Sequence, residues 1–281
     1  MNKKTAYLSI PYFAWAIIFT VVPLLLVFMF AVFKNDGEGY YFTTEYLIQL
    51  FDAREEMVAA LIRSLKLSAI ATVVCLVLGY PLAYILANSK SRYKGFLTTL
   101  IILPMWMNFL VRTYALLTLM ENNGLINQFL GLFGMERIQF LYKESSILIG
   151  MVYNYLPFMV LPIHSVLSKI DKRVVEAAED LGANKFLVFK KVIFPLSLGG
   201  VISGIEMVFI PSITTFALSQ LLGGSKTLLI GDMIERQFLE FNNWGFGSLL
   251  SVIVILIVLM SMYFTGKFGS SDSESGGGLL G

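Results

Sequence analysis

The stretch Glu176-Ala177-Ala178-Glu179-Asp180-Leu181-Gly182-Ala183, closed further along by Val192-Ile193-Phe194-Pro195, is a polar interruption between two long apolar segments. Each of these segments is long enough to cross a lipid bilayer. We expect two short helices that meet at Gly182, because glycine permits a positive φ or a close backbone approach. The small alanines leave a low surface that a groove of another protein could receive. The pattern therefore predicts a docking element, in which the following apolar side chains are available for packing: Val175, Ala178, Phe186 and Phe189.

The composition indicates a membrane protein. Of the 281 residues, 57% are hydrophobic and only 14% are charged, and the mean hydropathy is +0.74. A soluble domain normally carries about a quarter charged residues, so most of this chain must avoid water in another way. Apolar runs of about twenty residues predict an all-α integral membrane protein that crosses the bilayer several times. The net charge of +2 favours no class of partner.

Six segments can cross a hydrocarbon core of about 30 Å at a rise of about 1.5 Å per residue. They cover residues 10–33, 59–88, 96–120, 145–167, 193–221 and 246–266. The first is too long for the apolar region of a signal peptide and lacks a clear cleavage site, so we count it as a span. Five prolines inside spans predict kinks, which fit ordinary helix curvature and a bent bundle around a path equally well: Pro81, Pro104, Pro157, Pro162 and Pro211.

The distribution of Lys and Arg predicts the orientation, because cytoplasmic loops carry an excess of both. Three basic residues lie within 89–95 and six within 168–192. We therefore place both segments and both termini in the cytoplasm. Acidic residues concentrate on the opposite side, where they could gather polycations or could simply be what the charge rule leaves there. They are Asp36, Glu38, Glu45, Asp52, Glu55, Glu56, Asp232, Glu235 and Glu240.

This pattern divides the chain into three parts. Residues 1–57 hold the first span and an amphipathic external segment, and residues 58–267 hold five helices with the docking loop 168–195 between them. Residues 268–281 are rich in Gly and Ser and predict a flexible tail. The glycine-containing loop 121–143 predicts a short helix at the outer interface.

Catalytic and metal-binding patterns are missing from the sequence. The segment 223–227 (Gly-Gly-Ser-Lys-Thr) lacks the upstream glycine of a phosphate loop and follows a span on the outer side. His164 is the single histidine and Cys75 the single cysteine, so neither a histidine cluster nor a CxxC pair can form. We predict no catalytic residue, no metal site and no cofactor bound by this chain.

The docking stretch resembles the EAA motif of bacterial ABC importer permeases. Glu176-Ala177-Ala178, Gly182 and the closing Val192-x-Phe194-Pro195 carry the resemblance, with Val and Phe where the motif usually has Ile and Leu. It extends over about residues 60–265 and includes these further stretches: Leu76–Ala83, Trp106–Asn108 with Arg112 and Tyr114, Leu156–Val160 and Leu222–Gly231. Within the family, the chain is most similar to permeases for spermidine and putrescine. The resemblance implies six transmembrane helices in a type I ABC importer (MetI-like) permease fold of the bacterial inner membrane.

The resemblance also implies partners. Two copies of a cytoplasmic ABC ATPase, which bind ATP and Mg, would dock on the EAA elements of this chain and of a second homologous permease. An external binding protein would deliver the polyamine. The residues to which the resemblance assigns ATPase coupling are Glu176, Ala177, Ala178, Gly182, Ala183, Phe186 and Pro195.

Polar and aromatic residues within spans are candidates for a substrate path, because polar groups are costly in lipid. Carboxylates and aromatic faces suit a polyamine, whose ammonium groups alternate with methylenes. Glu206, Ile213, Phe216 and Gln220 follow a helical spacing in span five, and span three adds Trp106, Asn108 and Tyr114. Arg112 is predicted at a similar depth to Glu206, so the two could instead form an ion pair.

Two other functions fit the residues. Arg112 and the single intramembrane acid, Glu206, leave open the same importer class with another small solute. An ion-coupled secondary transporter would use Glu206 as a relay, but it would also be expected to show internal repeats and discontinuous helices, and no convincing repeat is present in the sequence.

Overall fold

The computed structural model of this protein describes residues 11–275 except Ala14, Asp36, Glu38, Lys90, Ser91, Tyr93 and Ser225. Helices account for most of this part of the chain. In chain order the elements are α1 (residues 11–16), a π-helical turn (Ile17–Val21), α2 (Val22–Val32), β1 (Phe33–Asn35), β2 (Tyr40–Phe42), α3 (Glu45–Asp52), α4 (Arg54–Asn88), α5 (Lys94–Ile102), a 3₁₀ turn (Leu103–Trp106), α6 (Phe109–Met120), α7 (Leu125–Leu132), α8 (Glu144–Leu167), α9 (Lys172–Asp180), α10 (Lys185–Val188), a second π-helical turn (Phe189–Ile193), α11 (Phe194–Ile213), α12 (Ala217–Gly223), α13 (Ile230–Leu239) and α14 (Trp244–Ser275).

Five helical segments are long and apolar enough to cross a membrane within the described residues. They are Pro11–Val32, Arg54–Asn88, Glu144–Leu167, Lys185–Ile213 and Trp244–Lys267. A bent pair, Gly95–Trp106 and Phe109–Leu132, passes the same test together and makes a sixth crossing if it is counted as one span. The predicted six spans agree with the structure when this pair is counted as one.

Two of the predicted spans are not continuous helices. The third, predicted over 96–120, bends by 97° between Trp106 and Phe109. The fifth, predicted over 193–221, ends as α11 at Ile213 and resumes as the separate helix α12. Pro104 lies in the 3₁₀ turn before the first break, and the other four span prolines lie inside helices that continue past them.

The C-terminal tail differs from its prediction as well. Residues 268–281 were expected to be flexible, but α14 continues as helix to Ser275. The sequence contains no proline after Pro211, so nothing in it forces this helix to end earlier. Residues 276–281 lie outside the described part of the chain.

Contacts divide the chain into two units. The first comprises the described residues up to Ala60 together with Met233–Leu259. In it, β1 and β2 pair antiparallel, with Phe33 opposite Phe42, so the segment after the first span, which the sequence predicts to be external, begins as a β-hairpin. Tyr46, Phe246 and Leu250 form a small buried core.

The second unit comprises Leu61–Asp232 and the residues from Met260 onward. Its centre is α8, against which α11 packs closely. Met159 and Ile163 of α8 are completely buried. Gly200 and Gly204 of α11 face them, and a Cβ on Gly204 would lie 2.7 Å from the Met159 sulfur. Small residues four apart let two membrane helices approach each other closely, which explains why this pair forms the core.

Candidate functional site

The docking element follows α8 and consists of two capped helices. The Asp171 carboxylate caps α9 by accepting a hydrogen bond from the N–H of Arg173 at 3.0 Å. The Asn184 side chain caps α10 through the N–H of Leu187 at 2.9 Å. Such caps satisfy backbone donors that a helix end otherwise leaves without a partner. They explain why this polar stretch is helical rather than a loop.

Gly182 ends α9 in the left-handed region, with a φ of +84°. Its N–H donates to the carbonyl of Glu179 at 2.9 Å, and the N–H of Ala183 donates to the carbonyl of Ala178 at 3.1 Å. This pair of bonds is the Schellman ending, in which glycine is preferred because a Cβ is strained at positive φ. The two helices of the docking element therefore meet at Gly182.

The docking element has an inner and an outer face. Val175, Ala178 and Phe189 pack against the buried core of the second unit. In contrast, Leu181 is 90% exposed and Phe186 is 72% exposed. Of the four apolar side chains that the sequence offers for packing, three thus point inward and Phe186 remains on the surface.

The remaining predicted coupling residues lie on α9, just after the turn and at the start of α11. Glu176 and Ala177 are exposed on α9, and Ala183 is half-buried after the turn. Pro195 lies in the first turn of α11, inside the continuous helical segment Lys185–Ile213, so its missing N–H removes one helical hydrogen bond just after the π-helical turn. Exposed apolar side chains beside small alanines give a surface that can bind a groove of another protein.

An aromatic cluster joins the docking element to two spans, and sequence reasoning missed it. Tyr80 and Tyr84 of α4 contact Phe189 of the docking element, and Phe194 of α11 contacts both Tyr80 and Phe189. We refer to these four residues as the aromatic cluster. The spacing of four between the tyrosines, which places both on one face of a helix, is the one signal for it in the sequence.

The break in span three sets the positions of the candidate path residues there. Asn108 caps α6, because its side-chain oxygen accepts a hydrogen bond from the N–H of Leu110 at 2.8 Å. Trp106 lies just before the break with its side chain 82% exposed, and Tyr114 is 55% exposed on α6. The amide of Asn108 thus holds the helix start, while the two aromatic rings are open to a ligand or a partner.

Glu206 bonds to α14 rather than to the arginine of span three. Its carboxylate accepts a hydrogen bond from the Thr265 hydroxyl at 2.5 Å. Arg112 is 6% exposed, and its Nε and Nη1 have no hydrogen-bond partner. Within the described residues no ion pair joins Arg112 to Glu206, so the pairing considered from the sequence is not present.

The predicted stripe from Glu206 to Gln220 does not lie along one helix. Ile213 ends α11 and is fully buried, and Phe216, which directly precedes α12, is 43% exposed. Gln220 is half-buried on α12. A helical spacing predicts a shared face only within one continuous helix. The residues before and after this break lie on helices with different axes, so the spacing does not place them on one face.

The outer acidic residues have different environments. Asp232 is 2% exposed, and its carboxylate accepts hydrogen bonds from the Ser219 hydroxyl and the Leu229 N–H, both at 2.8 Å. Asp52, Glu55 and Glu56 instead line an open cavity of about 530 Å³ in the first unit. Asp232 is therefore a structural anchor for the outer segment rather than a surface charge.

Two further groups in the first unit have shifted pKa values. A hydrogen bond to the Glu45 carboxylate raises the pKa of Lys34 above its usual value. Burial raises the pKa of the Tyr46 hydroxyl. Both effects stabilise the form of each group that is usual at neutral pH, so neither group acts as an acid or base there.

Among the described residues, no group of three or more His, Cys, Asp or Glu side chains could hold a metal ion. The segment that superficially resembles a phosphate loop follows α12, where Gly224 has a φ of +61°. Ser225, within this segment, lies outside the described residues.

The structure is that of a polytopic membrane protein. Its third span is broken, and the docking element exposes an apolar face that is a candidate surface for a partner. The chain belongs to the family described as the binding-protein-dependent transport system inner membrane component, whose family model matches residues 76–267. Members of this family are membrane permease subunits of ABC importers, so the chain is not itself an enzyme.

Related chains and a solved structure agree with this assignment. The chain is 38% identical over 259 residues to the spermidine/putrescine transport system permease protein PotB of Haemophilus influenzae, with 90% of each chain covered. It is 37% identical over 249 residues to the protein of the same name from Escherichia coli, covering 87% of this chain and 90% of that one. A solved bacterial ABC transporter involved in the import of the acidic polysaccharide alginate is 16% identical, with a TM-score of 0.80 and 95% of both chains covered. The predicted type I ABC importer (MetI-like) permease fold is thereby confirmed.

Proposed function

We propose that this chain is the transmembrane permease of an ATP-driven importer for spermidine and putrescine. The observation that carries the cargo assignment is the identity of 38% and 37% to two spermidine/putrescine permease proteins over nearly the whole chain. The polyamine passes from an external binding protein through the membrane to the cytoplasm. Alternating access drives this movement, as the spans open first to one side and then to the other.

The docking element is the contact for the energy source. Two copies of a cytoplasmic ABC ATPase bind ATP and Mg and dock on this element and its counterpart in a second permease, which is homologous and PotC-like. The exposed Leu181 and Phe186 support this role, because a desolvated apolar anchor of this kind often contributes much of the energy of a protein interface. Glu176, beside them on α9, is available to pair with basic residues of the ATPase.

The orientation follows from the same assignment. The docking element faces the cytoplasm, as do both termini, and the β-hairpin and α7 face the binding protein's compartment. The excess of Lys and Arg in 168–192 supports this orientation.

The path for the polyamine runs along exposed aromatic rings and one carboxylate. Trp106, Tyr114 and Phe216 have exposed rings, which can contact an ammonium group through cation–π attraction and pack against its methylenes. Glu206 offers the charge, and Gln220 lies near Phe216 on α12. Asn108 contributes by holding the start of α6 rather than by direct contact.

A second candidate cargo is an anionic solute of the same importer class. Arg112 favours it, since two buried guanidinium nitrogens without partners would be satisfied by a carboxylate. In a polyamine importer, the positive charge of Arg112 must instead lie away from the path, because it would repel a cationic cargo.

The deciding experiment measures ATP hydrolysis by the whole complex in proteoliposomes. The binding protein is added empty, or loaded with spermidine, putrescine or glutamate. We expect stimulation of hydrolysis by the two polyamine-loaded forms and none by the glutamate-loaded form. Stimulation by glutamate alone would overturn the polyamine assignment in favour of the anionic one.

A variant pair tests the role of Glu206 in the path. Glu206→Gln keeps an oxygen that can accept from Thr265 but removes the charge, so we expect the KM for spermidine to rise about tenfold, the effect of losing ~1.4 kcal/mol of binding. Thr265→Val is the matched control, because it removes the hydrogen bond at 2.5 Å and keeps the charge. If both variants change uptake equally, Glu206 is structural and the path runs elsewhere.

A further inference from the structure

Phe189 of the docking element is held between two tyrosines of span two. The ring centroids of Tyr80 and Phe189 lie 5.8 Å apart at an interplanar angle of 88°, and those of Tyr84 and Phe189 lie 5.8 Å apart at 89°. Edge-to-face contacts of this kind are a favoured arrangement of aromatic pairs. Phe189 is therefore fixed in two directions by rings one helical turn apart on α4.

The π-helical turn Phe189–Ile193 brings the fourth ring to the same place. In it, the N–H of Phe194 donates to the carbonyl of Phe189, five residues earlier. In an α-helix, residues five apart point about 140° away from each other, whereas a π-turn places them nearly one above the other. The rings of Phe189 and Phe194 accordingly lie 6.3 Å apart, and Phe194 also lies 5.9 Å from Tyr80.

A buried hydrogen bond adds to the ring contacts. The Ser197 hydroxyl donates to the carbonyl of Phe194 at 2.8 Å. Its oxygen is then the acceptor for the Tyr80 hydroxyl, which lies 2.9 Å away. Ser197 is fully buried and Tyr80 is 9% exposed, so this bond between α4 and α11 is protected from water.

The surface of the docking element lies very close to this cluster. Phe186, whose ring is 72% exposed, precedes Phe189 by less than one helical turn. Val175 and Ala178 of α9 pack inward on the same side as Phe189. A force applied at Phe186 thus has no flexible loop to cross before it reaches α4 and α11.

We propose that Tyr80 and Tyr84 are positioning residues that make the docking element and the adjoining ends of α4 and α11 move as one body. They act through Phe189 and Phe194, so that the ATPase stroke reaches two spans at once. The inference rests on the proposed function. It adds the residues that convert docking into movement of the spans.

The first test measures spermidine uptake per ATP hydrolysed by the whole complex in proteoliposomes. Tyr84→Leu and Tyr80→Leu should each lower this ratio about tenfold, the scale of mutations within a coupling network, while the amount of co-purified ATPase stays unchanged. Tyr84→Phe keeps the ring and should behave as wild type. Tyr263→Leu, at an exposed tyrosine of α14, is the matched control and should leave the ratio unchanged. A merely structural role would lower folded complex, uptake and hydrolysis together, and an unchanged ratio in both leucine variants would overturn the proposal.

The second test does not depend on the cargo. Spin labels at Ile85 and Lys185, both exposed, report the distance between α4 and the docking element in a Cys75→Ala background. We expect one distance in the nucleotide-free and the vanadate-trapped complex, and a broadened or shifted one in Tyr84→Leu. A wild-type distance that changes between the two states would contradict the proposal. If the distance is unchanged but spermidine does not stimulate the complex, the one-body proposal holds and only the assignment of a polyamine cargo fails.

Discussion

At Gly182 the backbone turns out of α9 with a φ of +84°, and a Cβ placed there would meet no heavy atom within 4 Å. Because no atom would clash with a side chain here, a substitution destabilises the isolated chain only through the strain of the positive φ. That angle costs a residue with a Cβ about 1–2 kcal/mol, and Asn and Asp tolerate it better than other residues. Any larger effect of a substitution at Gly182 must come from the partner that docks there.

Gly182→Asp should insert into the membrane normally and abolish transport. The reason is that its carboxylate would stand in the docking surface beside Leu181, where an unpaired charge would be desolvated on binding. Gly182→Asn has nearly the same size and backbone tolerance without the charge, and it should retain most of the uptake. Immunoblots of membranes, co-purification of the ATPase and spermidine uptake measure the three quantities. Wild-type uptake in the Asp variant would remove the docking role of this turn.

The surroundings of residues in the membrane were harder to predict than the helix ending at Gly182. The Schellman turn follows from local hydrogen bonds within a few residues, so Gly182 was found from sequence. Asn108 was assigned to the path but caps α6, and Glu206 bonds to Thr265 instead of Arg112. The hydrogen-bond partners of Asn108 and Glu206 depend on where helices break and on which helices become neighbours. The residue spacing along one segment predicts neither of these features.

At the scale of elements, the contact of α8 with α11 depends on glycines of the second helix. A Cβ on Gly200 would lie 2.9 Å from the carbonyl oxygen of Pro162 and 3.0 Å from the Cα of Ile163. Both are backbone atoms, which cannot move aside as a flexible side chain can. A Cβ on the adjacent Gly199 would meet nothing within 4 Å.

These neighbouring glycines give a matched pair of variants. Gly200→Ala should destabilise the protein by about 1–3 kcal/mol, the usual cost of overpacking. Gly199→Ala should be neutral or stabilising by up to about 1 kcal/mol, because alanine is the better helix former. Thermal unfolding of the purified chain in detergent, with equal protein-to-detergent ratios, measures the difference. Equal unfolding temperatures for both variants would mean that α8 and α11 do not pack through Gly200.

The elements themselves were predictable to the extent that lipid imposes them. Six apolar runs predict six crossings, because the backbone must form its own hydrogen bonds in hydrocarbon. Hydropathy cannot locate the 97° bend between Trp106 and Phe109 or the end of α11 at Ile213, since apolar residues predominate on both sides of each break. The continuation of α14 to Ser275 differs from the sequence expectation for another reason: Gly and Ser favour a flexible chain, whereas no proline interrupts the helix there.

For the whole molecule, orientation in the membrane depends on small numbers of charges. Six basic residues in 168–192 outweigh the acids of the docking element in the rule that sets topology, because Asp and Glu contribute little to it. The same rule predicts that the β-hairpin and α7 lie outside. The orientation is thus a property of the chain as a whole, and every role proposed for the docking element requires it.

Single cysteines in a Cys75→Ala background test this orientation with a membrane-impermeant maleimide. The ATPase would cover Phe186, so the cells express this chain without it. A cysteine at Phe186, where the native side chain is 72% exposed, should then react only after the cells are permeabilised. One at Leu132, where the native side chain is 81% exposed on α7, should react in intact cells. A third cysteine at Val73, 59% exposed but within span two, should not be labelled in intact or in permeabilised cells. The reason is that a thiol in hydrocarbon rarely ionises, and the thiolate is the form that reacts with maleimide. Labelling of the Phe186 position from outside would invert the topology, and an ATPase in the cytoplasm could then not reach the docking element.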